Sequence, residues 1–484
     1  MAGLSKSRIL LNQQCPKRLW LKVNRPDLEE ESDGMKARFA AGDQIGDIAR
    51  RLHPDGLLID AGDLKGALAQ TRAALDEAPR PLFEATFGHQ GLLVQADLLL
   101  PEGGAWRMVE VKSSTTVKDY HLTDASVQAW VLEQAGMPLS RVEVAHVDNA
   151  FVYPGNGDYR GLLAHADISR EARALQPEIP VWIDQARQTL DLASEPAIQP
   201  GPQCTDPFEC PFRHHCDPAA MEPIPAHSVR VLPHGGKFVT GLLEQGKDDL
   251  RQLRMDELKK ENHQRIWRTL QTRQAELDPR AGKIIRDLGW PRYYMDFETI
   301  NPAVPLWTGT RPYQHVSFQW SCHIERPEGL NHAAFLVEAG GDPRRPFIES
   351  LLATLGDTGP IFVWNASFER GRLEDLADTF PDLAKPIRKV IKRMFDLLPL
   401  SREHYYHPEM RGSWSIKAVL PTIAPELSYE ELEVAHGGAA QEAFVEMIAP
   451  ATTPERKTAL RQAMLEYCER DTLAMVKIAD FLAS

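Results

Sequence analysis

The sequence has no long apolar run. No stretch approaches the roughly 20 residues that cross a bilayer as a helix, so a membrane-spanning helix is excluded by pattern. The opening segment MAGLSKSRILLNQQCPKRLW is charged and lacks both a long apolar core and a small-residue cleavage site. It predicts a mature cytoplasmic protein and no signal peptide. Cysteine is scarce, six in 484 residues, which is too few for a disulfide scaffold. In a reducing compartment, clustered cysteines are better suited to metal ligation. Positive charge is outnumbered: 55 Lys and Arg against 68 Asp and Glu leave a net charge of −13. This excludes polyanion binding by bulk charge and leaves only local basic patches for that task. Internal repeats and low-complexity tracts are absent. What remains is ordinary globular composition, 43% hydrophobic and 25% charged, in a chain long enough for more than one core.

The chain reads as mixed α/β in three parts. Residues 1–225 predict helices around Lys36–Leu52 and Asp63–Glu77, then β runs at Pro81–Phe87, Leu92–Leu100 and Trp106–Lys112. A helix near Thr123–Ala135, strands near Val142–Tyr153 and Tyr159–Asp167, and a helix near Ser169–Leu192 follow. Residues 226–289 read as a polar, helical connector. Residues 290–484 predict strands at Arg292–Thr299 and Val316–Ile324, a helix at Arg345–Leu355, a strand at Ile361–Trp364 and helices to the end, again an α/β pattern.

Three cysteines, Cys204, Cys210 and Cys216, punctuate a Pro-rich loop, and Cys15 lies far away in QQCPKRLW. Four thiolates suit an iron–sulfur cluster or zinc. The five-residue gaps are long for zinc knuckles, although His214 and His215 are at hand to complete a zinc site. Tying Cys15 to the distant three closes a very long loop, where a cross-link restricts the unfolded chain most. Cys322 and Cys468 lie in apolar surroundings and read as core.

In QADLLLPEGGAWRMVEVKSS, Asp97 lies on one apolar strand, and Glu110 and Lys112 follow a Gly-Gly turn on the next. Residues i and i+2 of a strand share a face, and antiparallel pairing can set Asp97 beside Glu110. Paired carboxylates bind Mg²⁺ or Mn²⁺. Such an ion activates water and a phosphate oxygen, with Lys112 to hold the water or stabilise charge on the phosphate.

Residues 5–220 resemble the iron–sulfur RecB-like branch of the PD-(D/E)xK nucleases, the type found in AddB and in CRISPR-associated exonucleases. The resemblance rests on Cys15-Pro-Lys-Arg-Leu-Trp, Asp97, Glu110-Val-Lys112 and the three-cysteine tail. It implies a restriction-endonuclease-like fold, a catalytic centre of Asp97, Glu110 and Lys112, and a 4Fe–4S cluster on Cys15, Cys204, Cys210 and Cys216. Two positions depart from the pattern. The stretch 42–47 has no His, and Gln128 is followed four residues later by Leu132 where the pattern has Tyr. Gln128 and Glu84 are candidates to assist.

In YYMDFETI, Asp296 and Glu298 again share a strand face. Glu369 opens a helix just after the strand ending at Trp364, and Tyr467 and Asp471, four apart, share a helix face. Four carboxylates from separate elements suit a two-cation centre that clamps the attacking and leaving oxygens of a phosphodiester. Tyr467 could orient the attacking water. These elements, with Asn365-Ala-Ser-Phe368-Glu369 and Ser413-Trp-Ser-Ile-Lys-Ala-Val-Leu, resemble the Tyr-containing DnaQ-like DEDD 3′→5′ exonucleases over residues 290–484. The resemblance implies an RNase H-like fold with Asp296, Glu298, Glu369 and Asp471 as metal ligands and Tyr467 as catalytic partner. Glu369 stands where the pattern has Asp. Asp396 is a weaker candidate.

Basic stretches at 1–26 and 385–393 are candidate phosphate contacts. Together these readings predict a metal-dependent nuclease with DNA as the expected partner, at a single strand or a free end, in repair, recombination or defence. Two alternatives are an RNA exonuclease and a DNA-binding iron–sulfur module whose C-terminal half alone cuts.

Overall fold

A computed structural model of the chain describes residues 3–30, 32–218, 222–338, 340–427, 429 and 431–484. It is mixed α/β and divides into two compact units, Met1–Glu222 with Pro302–Gln314, and Pro223–Asn301 with His315–Ser484. Among the described residues no helix is long and apolar enough to cross a membrane.

The first unit holds a seven-stranded sheet. Leu57–Leu58, Leu82–His89, Leu92–Glu102, Ala105–Lys112, Leu139–Val147 and Leu163–Asp167 lie in that order, and Leu4–Ser5 pairs in parallel with Leu92–Glu102. The three strands from Leu82 to Lys112 form an antiparallel meander. Its turns use Gly91, Gly103 and Gly104, all at positive φ, a conformation that a side chain resists. Ala105–Lys112 then pairs in parallel with Leu139–Val147, and the crossover carries the helix Asp119–Gln134. That helix is buried almost all round, so its polar Asp124 and Gln128 sit in the interior. The single helix predicted at Ser169–Leu192 is two helices, Ser169–Leu175 and Ile179–Leu190, joined by a 3₁₀ turn with Pro177 inside it.

Residues 302–314 count with this unit. Ala303 and Val304 share a core with Ile45, Ile48 and Leu162, and Tyr153 exchanges backbone hydrogen bonds with Gly309 and Thr310 at 2.8 and 2.9 Å.

The second unit holds a five-stranded sheet in the order Gly329–Leu336, Val316–Arg326, Arg292–Ile300, Ile361–Val363, Met394–Asp396. The first three are antiparallel, and the last two run parallel to Arg292–Ile300 and to each other. The 30-residue helix Pro454–Ala483, capped by Thr453, packs on one face of the sheet and Arg344–Leu355 on the other. The stretch read as a connector is no continuous helix. Arg273 at φ +55° and Pro279 interrupt it, and Leu250, Leu253, Leu258, Ile266 and Ile285 pack with Tyr405, Trp414 and Met475 in the core of this unit.

Candidate functional site

In the second unit, strand alternation sorts the residues of Arg292–Ile300. Tyr293, Met295 and Phe297 enter the core with Phe347 and Leu351 of the helix Arg344–Leu355, whereas Tyr294 enters the core with Met475 and Ala479 of Pro454–Ala483. Asp296 and Glu298 share the parity of Tyr294 and so face the long helix. A bulge in the partner strand between Ser317 and Gln319 falls opposite Glu298 and Thr299, where such a kink re-aims neighbouring side chains.

The long helix presents Tyr467, Cys468 and Asp471 to these carboxylates. Ligand atoms of Asp296, Glu298 and Cys468 all lie within 4.8 Å of one another, the one such group of three donors among the described residues. Burial, then Asp471, Glu298 and Glu369, push the Asp296 carboxyl far above its usual range. Burial and Asp471 push Glu298 up to about 8, against the pull of Lys417. Burial also pushes Glu369 up to about 8, helped by Asp396. Asp471 rises to about 6 through burial, restrained by the hydroxyls of Tyr429 and Tyr467 and by Lys417. Asp296 therefore feels the other three expected ligands in a dry setting, with Lys417 pulling on Glu298 and Asp471. Oε2 of Glu369 is buried without a hydrogen-bond partner. An unsatisfied carboxylate oxygen among like charges fits a hard divalent cation, which takes oxygen ligands. Cys468 is buried behind Asp296, its Sγ 4.0 Å from Oδ2, so it is a neighbour of the site as well as core.

Asp396 has a structural task. Its carboxylate accepts from the backbone N–H of Asn365 (3.0 Å), Ala366 (2.9 Å) and Leu398 (3.0 Å). It thereby pins the turn, with Asn365 at φ +70°, from which the helix carrying Glu369 starts. Two residues escaped the sequence reading. Tyr429 donates to Asp471, and Lys417 lies about 5 Å from the rings of both Tyr429 and Tyr467. Lys417 belongs to the Ser413–Leu420 segment singled out above, whereas Tyr429 carries no motif.

In the first unit, the ladder between Leu92–Glu102 and Ala105–Lys112 runs as far as Leu98 opposite Val109. Beyond that pair the Asp97 carboxylate takes a backbone role and accepts from Val111 N–H at 2.7 Å. Burial and Glu110 push Asp97 up to about 7, against Lys6 and Lys112. Lys112 Nζ lies 2.6 Å from both Glu110 Oε1 and Asp124 Oδ2. Lys6 Nζ lies 2.9 Å from Glu110 Oε1 and 3.1 Å from Asp124 Oδ1. Gln128 donates to Glu110 and, at 3.3 Å, to Asp124. The expected Asp97, Glu110, Lys112 and Gln128 do meet, and Lys6 and Asp124 complete a set the sequence did not reveal. Glu84, at φ +54°, pairs with Arg50 at 3.1 Å.

Cys15, Cys204, Cys210 and Cys216 line one pocket with Lys17, Arg18 and Arg213. The cysteines are free thiols, and burial raises Cys210 and Cys216. Gln14, next to Cys15, donates to the carbonyls of Gln203 (2.8 Å) and Phe208 (2.7 Å), which docks the cysteine loop on the helix Lys6–Gln14. His214 and His215 are not in the lining: they pair with Glu30 at 3.3 Å and Glu195 at 2.9 Å. Of the basic stretches, Lys17, Lys22 and Arg25 pair with Glu195, Glu29 and Asp27. Arg388 pairs with Glu374 and Asp378, and Arg393 donates to the carbonyls of Leu355, Gly356, Thr358 and Gly359. These cations of both patches are thus engaged within the protein itself.

The fold and site thus define a mixed α/β protein of two units, each with a buried carboxylate centre. Residues 293–415 match a family described as "Domain of unknown function (DUF2779)". That match includes Asp296, Glu298 and Glu369 and stops short of Tyr429, Tyr467 and Asp471. The chain is similar to the uncharacterized protein UU173 of Ureaplasma parvum, 25% identical over 279 residues, covering 52% of this chain and 40% of the relative. It is also similar to the uncharacterized protein MG366 homolog of Mycoplasma pneumoniae, 26% identical over 212 residues, covering 40% of this chain and 32% of the relative. A third relative, the uncharacterized protein MG366 of Mycoplasma genitalium, is 22% identical over 211 residues with the same coverage. The chain spans less than half the length of these curated relatives.

Proposed function

We propose that the protein is a metal-dependent nuclease that hydrolyses phosphodiester bonds of DNA from a free or single-stranded end. In this reading the second unit is the cutting module, of DnaQ-like DEDD type and RNase H-like fold. The first is a RecB-like module of PD-(D/E)xK type that carries a 4Fe–4S cluster. The observation that carries it is the gathering of Asp296, Glu298, Glu369 and Asp471 in a buried place where Glu369 Oε2 has no partner.

Asp296, Glu298, Glu369 and Asp471 would hold Mg²⁺ or Mn²⁺. A bound pair of such ions lowers the pKa of water and draws charge off the scissile phosphate. Burial and Asp471 keep the Tyr467 hydroxyl protonated, so it can donate to and accept from a water beside the carboxylates. Tyr429 fixes the rotamer of Asp471 through its hydrogen bond, and Asp396 fixes the start of the helix bearing Glu369. Lys417 lies about 5 Å from the rings of the two tyrosines, where it tempers the charge of Glu298 and Asp471.

For the cysteine pocket the choice lies between zinc and a cluster. Four sulfurs on one zinc, with bonds of about 2.3 Å, sit only ~3.8 Å apart. The four cysteines form no group within 4.8 Å, while Lys17, Arg18 and Arg213 face them as counter-charge. The wider setting favours the cluster. The test is digestion of end-labelled DNA and RNA strands of matched sequence with Mg²⁺ or Mn²⁺. DNA shortening that disappears in Asp296→Asn supports the proposal. Preference for RNA would reassign the substrate, and equal activity in Asp296→Asn would remove the second unit as the cutting module.

A further inference from the structure

The two carboxylate centres differ in how their charge is met. In the second unit, among the described residues, no ammonium is a hydrogen-bond partner of Asp296, Glu298, Glu369 or Asp471, and Lys417 is a cation whose field reaches Glu298 and Asp471. In the first unit Asp97, Glu110 and Asp124 face two ammoniums, each in contact with both Glu110 and Asp124. Glu84, which could have served as a further ligand, is held by Arg50. Gln128 supplies amide hydrogens to Oε2 of Glu110 and to Oδ1 of Asp124, the latter shared with Lys6. The helix Asp33–Arg51 brings no His. Every carboxylate in the centre thus has a donor from the protein itself, whereas Glu369 keeps one oxygen, Oε2, without one.

Lys6 is no wandering surface lysine. Its side chain is 20% exposed. Leu4 and Ser5 pair in parallel with Leu92 and Leu93 on the central sheet, and Ser5 caps the helix Lys6–Gln14 by accepting from Arg8 N–H. Backbone pairing on one side and a helix on the other deliver the ammonium to Glu110 and Asp124. A divalent ion entering there would meet two ammoniums within contact distance of its ligands, and a protonated lysine offers it no lone pair.

We propose that Lys6 is the resident cation of the first unit's carboxylate centre, so that this centre takes no divalent ion while Lys6 is in place. The residues do not fit the metal that the nuclease resemblance implies for this unit. The proposal rests on the reading of this centre as PD-(D/E)xK in type, but not on any activity of the second unit.

The test is Mn²⁺ binding by the full chain, followed by electron paramagnetic resonance of free and bound ion. The background is Asp296→Asn/Asp471→Asn, which disables the second centre. With Lys6 present, no bound Mn²⁺ is expected. Adding Lys6→Met should create one Mn²⁺ site, at least tenfold tighter than any residual binding, and adding Glu110→Gln should abolish it. Lys6→Arg, which keeps the charge, should stay silent. Two results overturn the proposal. One is a Glu110-dependent Mn²⁺ site in the background chain with Lys6 intact, which decides the matter whether or not the Lys6 variants fold. The other is a Lys6→Met chain with unchanged circular dichroism and no Mn²⁺ site. If the wild-type chain and the background bind Mn²⁺ alike, the cutting role of the second unit fails, while the Lys6 arms still report on the first.

Discussion

The hydroxyl of Tyr429 donates to Oδ1 of Asp471 at 2.6 Å, linking a loop residue to the helix that closes the carboxylate centre of the second unit. A hydrogen bond to a charged group contributes about 1.5–3 kcal/mol. Tyr429→Phe removes it and leaves the ring in place. Because that bond lowers the Asp471 pKa, its loss should raise it above about 6. The acid limb of the pH–rate profile should move to higher pH with activity retained at alkaline pH. A profile superimposable on wild type would count against a role for Tyr429.

Burial raises Glu298 and Glu369 from the ordinary 4.5 to about 8 in the metal-free protein. A carboxyl raised by folding binds its proton more tightly in the native state. Its contribution is full below about pH 4.5 and is lost as pH rises through about 8. Metal-free Tm should therefore fall across that window, and Glu298→Gln/Glu369→Gln should flatten the slope. Mg²⁺ or Mn²⁺ should raise the wild-type Tm more at pH 8 than at pH 6. Thermal scans with and without chelator measure both.

Asp396 accepts two backbone N–H groups of the turn that launches the Glu369 helix and a third, from Leu398, as cap of its own helix Leu397–His404. Asp396→Ala leaves donors unsatisfied at about 1–3 kcal/mol each where they are buried. The denaturation midpoint should drop and activity should fall with it, while the number of Mn²⁺ ions bound at saturation stays that of wild type. Loss of an ion would make Asp396 a ligand.

Cys15→Ser should reduce bound iron and the visible absorption of anaerobically purified protein as strongly as Cys210→Ser does, although Cys15 is 195 residues away in the chain, since both line one pocket. Stoichiometric zinc with no iron would contradict the cluster.

Much of this was legible because it is periodic or local. The i, i+2 spacing of Asp296 and Glu298 put both on the face that meets the long helix, and the i, i+4 spacing of Tyr467 and Asp471 put both on the side that answers them. The cysteine pocket followed from clustering. The strand Gly329–Leu336 went unread because it is an edge strand with an almost fully exposed residue pattern and so shows little apolar alternation. Tyr429 lies 42 residues before its partner, and Lys6 lies 104 before Glu110, with no local pattern at either. Asp124 hides in a helix buried on all sides, where amphipathic periodicity vanishes. Such pairings belong to tertiary structure and have no signature in sequence spacing.

The most direct test of the second-unit centre is the Mn²⁺-dependent shortening of end-labelled single-stranded DNA by the full chain, beside Asp296→Asn and Asp471→Asn variants of unchanged circular dichroism. The expected result is progressive loss of nucleotides by wild type and background rates in both variants. Undiminished shortening by either variant, or none by metal-loaded wild type, would contradict it.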